Sequence, residues 1–208
     1  MTLSVDNTWI SSILLEDALG LFLGIALSAA CGLRVFVPFL VVSALGVLGG
    51  WTLPPSLAWL DREPALALFA VASALEIGAY SLPWLDNLLD AAAAPLAIAA
   101  GVLVTAAVIP DDMGPLAQWT VAAIAGGGSA GIVKSLTSLT RLASTATTGG
   151  LANPFWMALE SLAAALLAGG ALALPILAGG LTLSLVSYGL VRLILFLRRQ
   201  RSVQTSAE

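Results

Sequence analysis

The sequence predicts an all-α fold: a polytopic transmembrane helical bundle of about six spans, some of them broken or re-entrant. Three observations carry that prediction. Apolar residues make up 59% of the 208-residue chain, charged residues only 10%, and the mean hydropathy is +1.00. A soluble domain is about 25% charged and would have too little polar surface here to cover itself. Six hydrophobic runs recur along the chain, most close to the roughly 20 residues that cross a hydrocarbon layer of about 30 Å. The segments between them hold the glycine, proline, asparagine and aspartate that end helices.

The first run, residues 18–48, is too long for one simple crossing, because a single helix would extend about 46 Å at 1.5 Å per residue. Arg34 and Pro38 stand near its middle, after the small-residue stretch ALSAACGL. Proline removes a backbone donor and disrupts a helix, so a kinked span or a span followed by a re-entrant piece is expected. The preceding MTLSVDNTWISSILLEDALG carries Asp6, Glu16 and Asp17 without a basic region, which does not read as a secretory signal. Runs two and three cover 64–82 and 91–109. Glu76 lies inside run two, while Asp86 and Asp90, four apart, share a face where they either bind a cation or begin a solvated helix.

Run four, 115–133, holds AIAGGGSAGIVK; three glycines inside an apolar span suit close helix packing better than phosphate binding. Runs five and six, 155–173 and 176–197, are joined by a tight turn near GGALALP. Trp9, Trp51, Trp59, Trp84, Trp119 and Trp156 fall near segment ends, where indole rings anchor at the headgroups. Arg198, Arg199 and Arg201 follow the last run and place the C-terminus in the cytoplasm by the positive-inside rule. Six crossings then place the N-terminus there too, with Lys134 and Arg141 on the same side and Arg62, Asp111 and Asp112 outside. The expected location is a bacterial inner membrane.

A shift of 100 residues sets Ala30 on Ala130, Arg34 on Lys134, Gly49-Gly50 on Gly149-Gly150, Pro54 on Pro154 and Ala58 on Ala158, without a gap. Each half has three crossings, an odd number, so the two halves would sit in opposite orientations as a 3+3 inverted repeat of the kind found in secondary transporters. The whole chain reads as one membrane domain: a first repeat over 15–110, a second over 115–197, and a basic-then-polar tail over 198–208.

KSLTSLTRLASTATTGGLANP, residues 134–154, is the polar exception. Eight hydroxyl side chains lie between Ser135 and Thr148. On a helix, Lys134, Thr137, Ser138, Arg141, Thr145 and Thr148 share one face, opposite Leu136, Leu139, Ala143 and Ala146. Such a helix either lies at the cytoplasmic surface with its cations on lipid phosphates, or enters the protein and lines an aqueous cavity, with TTGG as flexible backbone. In a cavity, Arg34, Lys134 and Arg141 would attract an anion, and a loop from Ser144 through Thr145, Thr147 and Thr148 to Asn153 would coordinate it.

Glu76 and Glu160 are ionisable groups in or near the apolar layer, costly unless paired or solvated. Each forms an ion pair between helices, with Arg34, Lys134, Arg141 or Arg192 as partner, or couples transport to a cation or proton. Arg192, six residues before the basic tail, also suits snorkelling to the surface. The single cysteine, Cys31, excludes an internal disulfide. The absence of histidine excludes His-ligated metals and a His base. No nucleophile–base pair, Walker loop or dinucleotide fingerprint is present, so no enzyme activity and no cofactor is expected. Eight lysines and arginines, mostly at run ends, form no surface for nucleic acid.

CGLRVFVPFL, PWLDNLLD and RLASTATTGGLANPFWMALES together resemble a family of small multispanning bacterial and plastid membrane proteins known only as a domain of unknown function. The resemblance covers roughly residues 18–197. It is most specific at Gly32, Leu33, Arg34 and Pro38, and from Ser144 to Pro154 with Glu160. Some relatives carry a histidine near Lys134 and a second acid after the glutamate, and this chain has neither. The resemblance implies the architecture and brings no activity with it. The expected function is transport of a small, anionic solute, with membrane lipids as the other partners and homo-oligomerisation left open. The alternative is a non-transporting scaffold or anionic-lipid-binding protein.

Overall fold

The structure, a computed structural model, describes residues 8–79, 83–110, 113–149 and 151–205. Asp6, Asp111, Asp112 and Gly150 lie outside the described residues, as do the side chains of Trp9, Trp84, Asp86, Asp90, Arg198, Arg199 and Arg201. The elements are α1 (Thr8–Leu33), α2 (Val37–Val47), a 3-10 turn (Pro55–Leu60), α3 (Glu63–Ala79), α4 (Pro83–Val108), α5 (Pro115–Val121), a π-helical turn (Ala122–Gly127), α6 (Gly128–Thr148), α7 (Asn153–Ala173) and α8 (Pro175–Thr205). No strand occurs among the described residues.

Four helices are long and apolar enough to cross a membrane: Leu15–Leu33, Pro115–Thr148, Asn153–Ala173 and Pro175–Arg192. The chain is an integral membrane protein, and its burial pattern agrees. Leu142, Leu166, Leu177, Leu181 and Leu185 are exposed, whereas Ala26, Ala30, Ala97, Ala130, Ala164 and Ala168 are wholly buried. Small residues inside and leucines outside let helix backbones approach closely while lipid covers the rest.

α1 is the central helix and packs against α4, α6, α7 and α8. Its crossings are made at glycines. A Cβ on Gly32 would stand 2.5 Å from the Ala130 carbonyl oxygen of α6, and one on Gly101 of α4 would stand 2.7 Å from the Ala130 methyl. Ser28 of α1 donates to the Gly101 carbonyl at 2.7 Å and shares a 2.6 Å hydrogen bond with Thr105, so no hydroxyl in this contact is left unsatisfied. The GGG stretch packs as expected: Gly126 and Gly127 sit against α4, with the π-helical turn at the contact.

The first hydrophobic run breaks at Arg34–Phe36 and resumes as α2. Pro38 is the cause: it has no N–H to give the Arg34 carbonyl, and its ring would crowd that oxygen in a continuous helix. At the first turn of α2 the same proline is tolerated. The following GGWTLPPSLAWL folds back over the bundle, with Leu57 and Leu60 buried and Ser43 donating to the Leu60 carbonyl at 2.6 Å.

Residues 134–148 are not a loop. They continue the fourth run through α6, giving 34 helical residues from Pro115. The helix ends at Gly149, whose φ of 63° is the left-handed cap that glycine adopts without strain.

Candidate functional site

Among the described residues, three cations and one carboxylate are buried. Arg34 is 2% exposed, Lys134 6%, Arg141 5% and Glu160 7%. Arg34 sits where α1 ends; its Nη2 lies 3.6 Å from a Glu160 carboxylate oxygen and donates to the Met157 carbonyl at 3.3 Å. α1 is thereby fastened to the first turns of α7.

α6 and α7 run antiparallel, and Asn153 Nδ2 donates to Thr145 Oγ1 at 3.1 Å near their shared turn. Counting back four residues from each partner puts Arg141 level with Met157, and eleven puts Lys134 level with Ala164. Arg34, Arg141 and Glu160 thus lie in one layer, about 6–10 Å along the helices from the turn at 1.5 Å per residue. Lys134 lies about one to two turns deeper.

The amphipathic face of α6 is turned inward. Lys134, Arg141 and Ser144 are buried, while Leu139 (48% exposed) and Leu142 (66%) face out. A helix floating at the bilayer surface would show the reverse, its polar face in water. The expected stripe is rotated in detail: Ser144 replaces Thr145 and Thr148 on the inner face, and Leu136 is half-buried against Gly189 of α8.

The hydroxyls mostly serve their own helix. Ser135, Thr137, Thr140, Thr147 and Thr148 donate to carbonyls three or four residues back, the usual way such side chains are satisfied where water is scarce. Thr145, Thr147 and Thr148 are exposed. The structure therefore does not form the expected coordinating loop from Ser144 to Asn153; its first half is helix. Ser144 Oγ and Asn153 Oδ1 differ from the rest, being buried without a hydrogen-bond partner. Buried polar atoms of this kind are uncommon and point to water or a ligand.

Glu76 on α3 has a use that sequence reasoning missed. Its two carboxylate oxygens accept the backbone N–H groups of Val35 at 2.8 Å and Phe36 at 3.0 Å. These are donors released by the break, at the positive end of α2, where a carboxylate is favoured. The usable signal was Pro38 itself, which leaves backbone donors in need of an acceptor when a helix stops inside a membrane.

Arg192 stands apart from this layer. It is exposed on α8, donates Nε–H to Tyr188 Oη at 2.9 Å and lies 5.5 Å from that ring's centre. No group of three acidic or thiol side chains that could hold a metal ion occurs among the described residues.

No curated protein and no solved structure matches the chain. A comparison with known families matches residues 21–194 to a domain of unknown function, DUF4126. The match spans well over half of the sequence and includes Arg34, Glu76, Lys134, Arg141 and Glu160. The chain belongs to that family.

Proposed function

We propose that this protein moves a small anion across the membrane, using the buried Arg34 and Arg141 and the deeper Lys134 as its binding site. One observation carries the reading: the charged face of α6 is turned into the bundle while Leu139 and Leu142 face out. A buried charge is costly unless it is compensated. Guanidinium and ammonium groups give charge-assisted hydrogen bonds to anions, the chemistry such a guest needs. Ser144 supplies a hydroxyl on the same face, and the Arg34–Glu160 pair fixes one wall.

The architecture proposed is six crossings: α1, α3 and α4 in the first half, and the 115–148 helix, α7 and α8 in the second. α2 is the re-entrant piece. The pairing between halves supports an inverted repeat, since α1 packs on α8 while α6 packs on α4. Arg34 and Lys134, equivalent in the 100-residue shift, flank the same α1–α6 crossing at Gly32 and Ala130. Both termini are placed in the cytoplasm, in a bacterial inner membrane.

Counterflow of chloride, phosphate and short carboxylates into proteoliposomes tests the reading. Accumulation of at least one is expected, with a loss of about tenfold or more in Arg141→Gln, as for removal of one charge-assisted contact. Wild-type protein that moves none of them overturns it.

A further inference from the structure

We infer that a membrane phospholipid binds along α8, its phosphate held by the exposed Arg192 and one acyl chain seated in an apolar groove formed by α1, α6, α7 and α8. The inference is independent of transport and of the buried charges, none of which lines the groove. The groove has a volume of about 620 Å³, within the range of sites that hold small organic ligands. Thr182 is the only polar side chain in its lining, and its hydroxyl is spent on the Ala178 carbonyl. Leu166, Leu177, Leu181 and Leu185 line it yet are 60–67% exposed, so its mouth opens where the bilayer lies. Such a surface takes hydrocarbon, and selection among hydrocarbons depends on the charge at its end.

The geometry of α8 puts Arg192 at that end. From Leu174 the helices α7 and α8 return antiparallel: Gly179 lies against Phe22 near the turn, and Gly189 lies against Leu136, itself part of the groove lining. Leu181, Leu185 and Arg192 are spaced by four and seven residues, which sets them on one helical face. Arg192 therefore stands about 10 Å beyond Leu185 at 1.5 Å per residue, and one turn past Gly189. Trp156 has the same relation to the α7 wall, seven residues before Ala163, and is half-buried. Trp156 and Arg192 are each eighteen residues from Leu174, so the two lie level. An indole N–H at such a level meets lipid headgroups.

Arg192 is held ready for an anion. Its Nε donates to the Tyr188 hydroxyl at 2.9 Å, and its guanidinium lies 5.5 Å from that ring's centre. Among the described residues its two Nη groups have no acceptor, which leaves the fork that takes two oxygens of one phosphate. No carboxylate among the described residues neutralises it. The helices packed on α8 are α1, α6 and α7. Neither α6 nor α8 has an acidic residue; α1 carries Glu16 and Asp17 at the Leu174 end, and Glu160 of α7 pairs with Arg34. A phospholipid has the matching order, a phosphate above an apolar tail, and reaches the groove sideways from the bilayer.

The test uses the full-length protein in phosphatidylcholine liposomes with trace phosphatidylglycerol or diacylglycerol, each carrying a photoreactive diazirine on one acyl chain. After illumination, labelled peptides are mapped. α3 also presents leucines outward, Leu68 and Leu75, so labelling of 63–79 reports ordinary bilayer contact. Relative to that segment, labelling within 163–186 is expected to favour phosphatidylglycerol by about fivefold, the worth of one cation at a lipid surface. Arg192→Gln should abolish the preference without lowering the unfolding temperature. Arg192→Lys keeps the charge and should keep most of the preference, which a merely structural arginine would not predict. Ala178→Phe fills the groove and should lower labelling there by both lipids while leaving α3 unchanged.

Equal labelling of the groove by the two lipids overturns the inference, as does a preference that survives Arg192→Gln. So does an unlabelled groove, including one closed by a second copy, shown when Leu177→Cys in a Cys31→Ala background cross-links two chains. Transport is judged separately, because Arg192 lies outside the proposed anion site: absent flux leaves the lipid site standing, and absent lipid preference leaves transport standing.

Discussion

Arg34 and Glu160 form the residue-scale contact on which the rest is built. Their side chains are 1% and 9% exposed, so removing either partner leaves a charge in an apolar surrounding. Glu160→Ala is expected to cost about 3–5 kcal/mol. The joint replacement Arg34→Met with Glu160→Met should recover much of that loss. Thermal unfolding in detergent micelles measures both, and equal destabilisation by single and double variants would contradict the pairing. Glu76 makes a different prediction, because it serves two N–H donors at once. Gln at this position keeps one acceptor and turns an amide NH2 toward a second donor. A loss of about 1–3 kcal/mol follows, the cost of one unsatisfied buried group. If Glu76→Gln unfolds at the wild-type temperature, the cap does not hold the break.

At the scale of elements, the glycines separate contact from mere abundance. Gly32 meets the α6 backbone directly, so Gly32→Ala must push α1 and α6 apart, an overpacking cost of about 1–3 kcal/mol. Gly128 is helical with nothing within 4 Å of a Cβ. Gly128→Ala should therefore be neutral or stabilise by up to about 1 kcal/mol, the helix preference of alanine over glycine. The two substitutions change one methyl each, and the same unfolding assay should give them opposite signs. Two equal losses would place the α1–α6 crossing elsewhere.

For the whole molecule, the decisive property is which side of α6 meets water. In a Cys31→Ala background, cysteines at Ser144 and Leu139 differ only in the face they occupy. A membrane-impermeant thiol reagent should modify Ser144→Cys if the cationic layer communicates with solvent. Leu139→Cys, facing the hydrocarbon, should react at least about tenfold more slowly, since the thiolate that reacts does not form in lipid. Faster labelling at Leu139 would mean that the helix lies at the surface and that the layer is closed packing.

Local chemistry determined much of this in advance. Membrane character followed from composition, the interruption near Arg34 followed from Pro38, and the helical stripe at 134–148 followed from spacing, because each depends on residues close in the chain. Tertiary structure alone decided three things: that the stripe faces inward, that residues 134–148 extend a span, and that Glu76 meets Val35 and Phe36 from about forty residues away. The physical reason is that periodicity defines two faces without saying which one meets the medium. In water the polar face turns out, and in lipid it turns in. Only the neighbouring helices, by enclosing Arg34, Lys134 and Arg141 within the bundle, settle that choice.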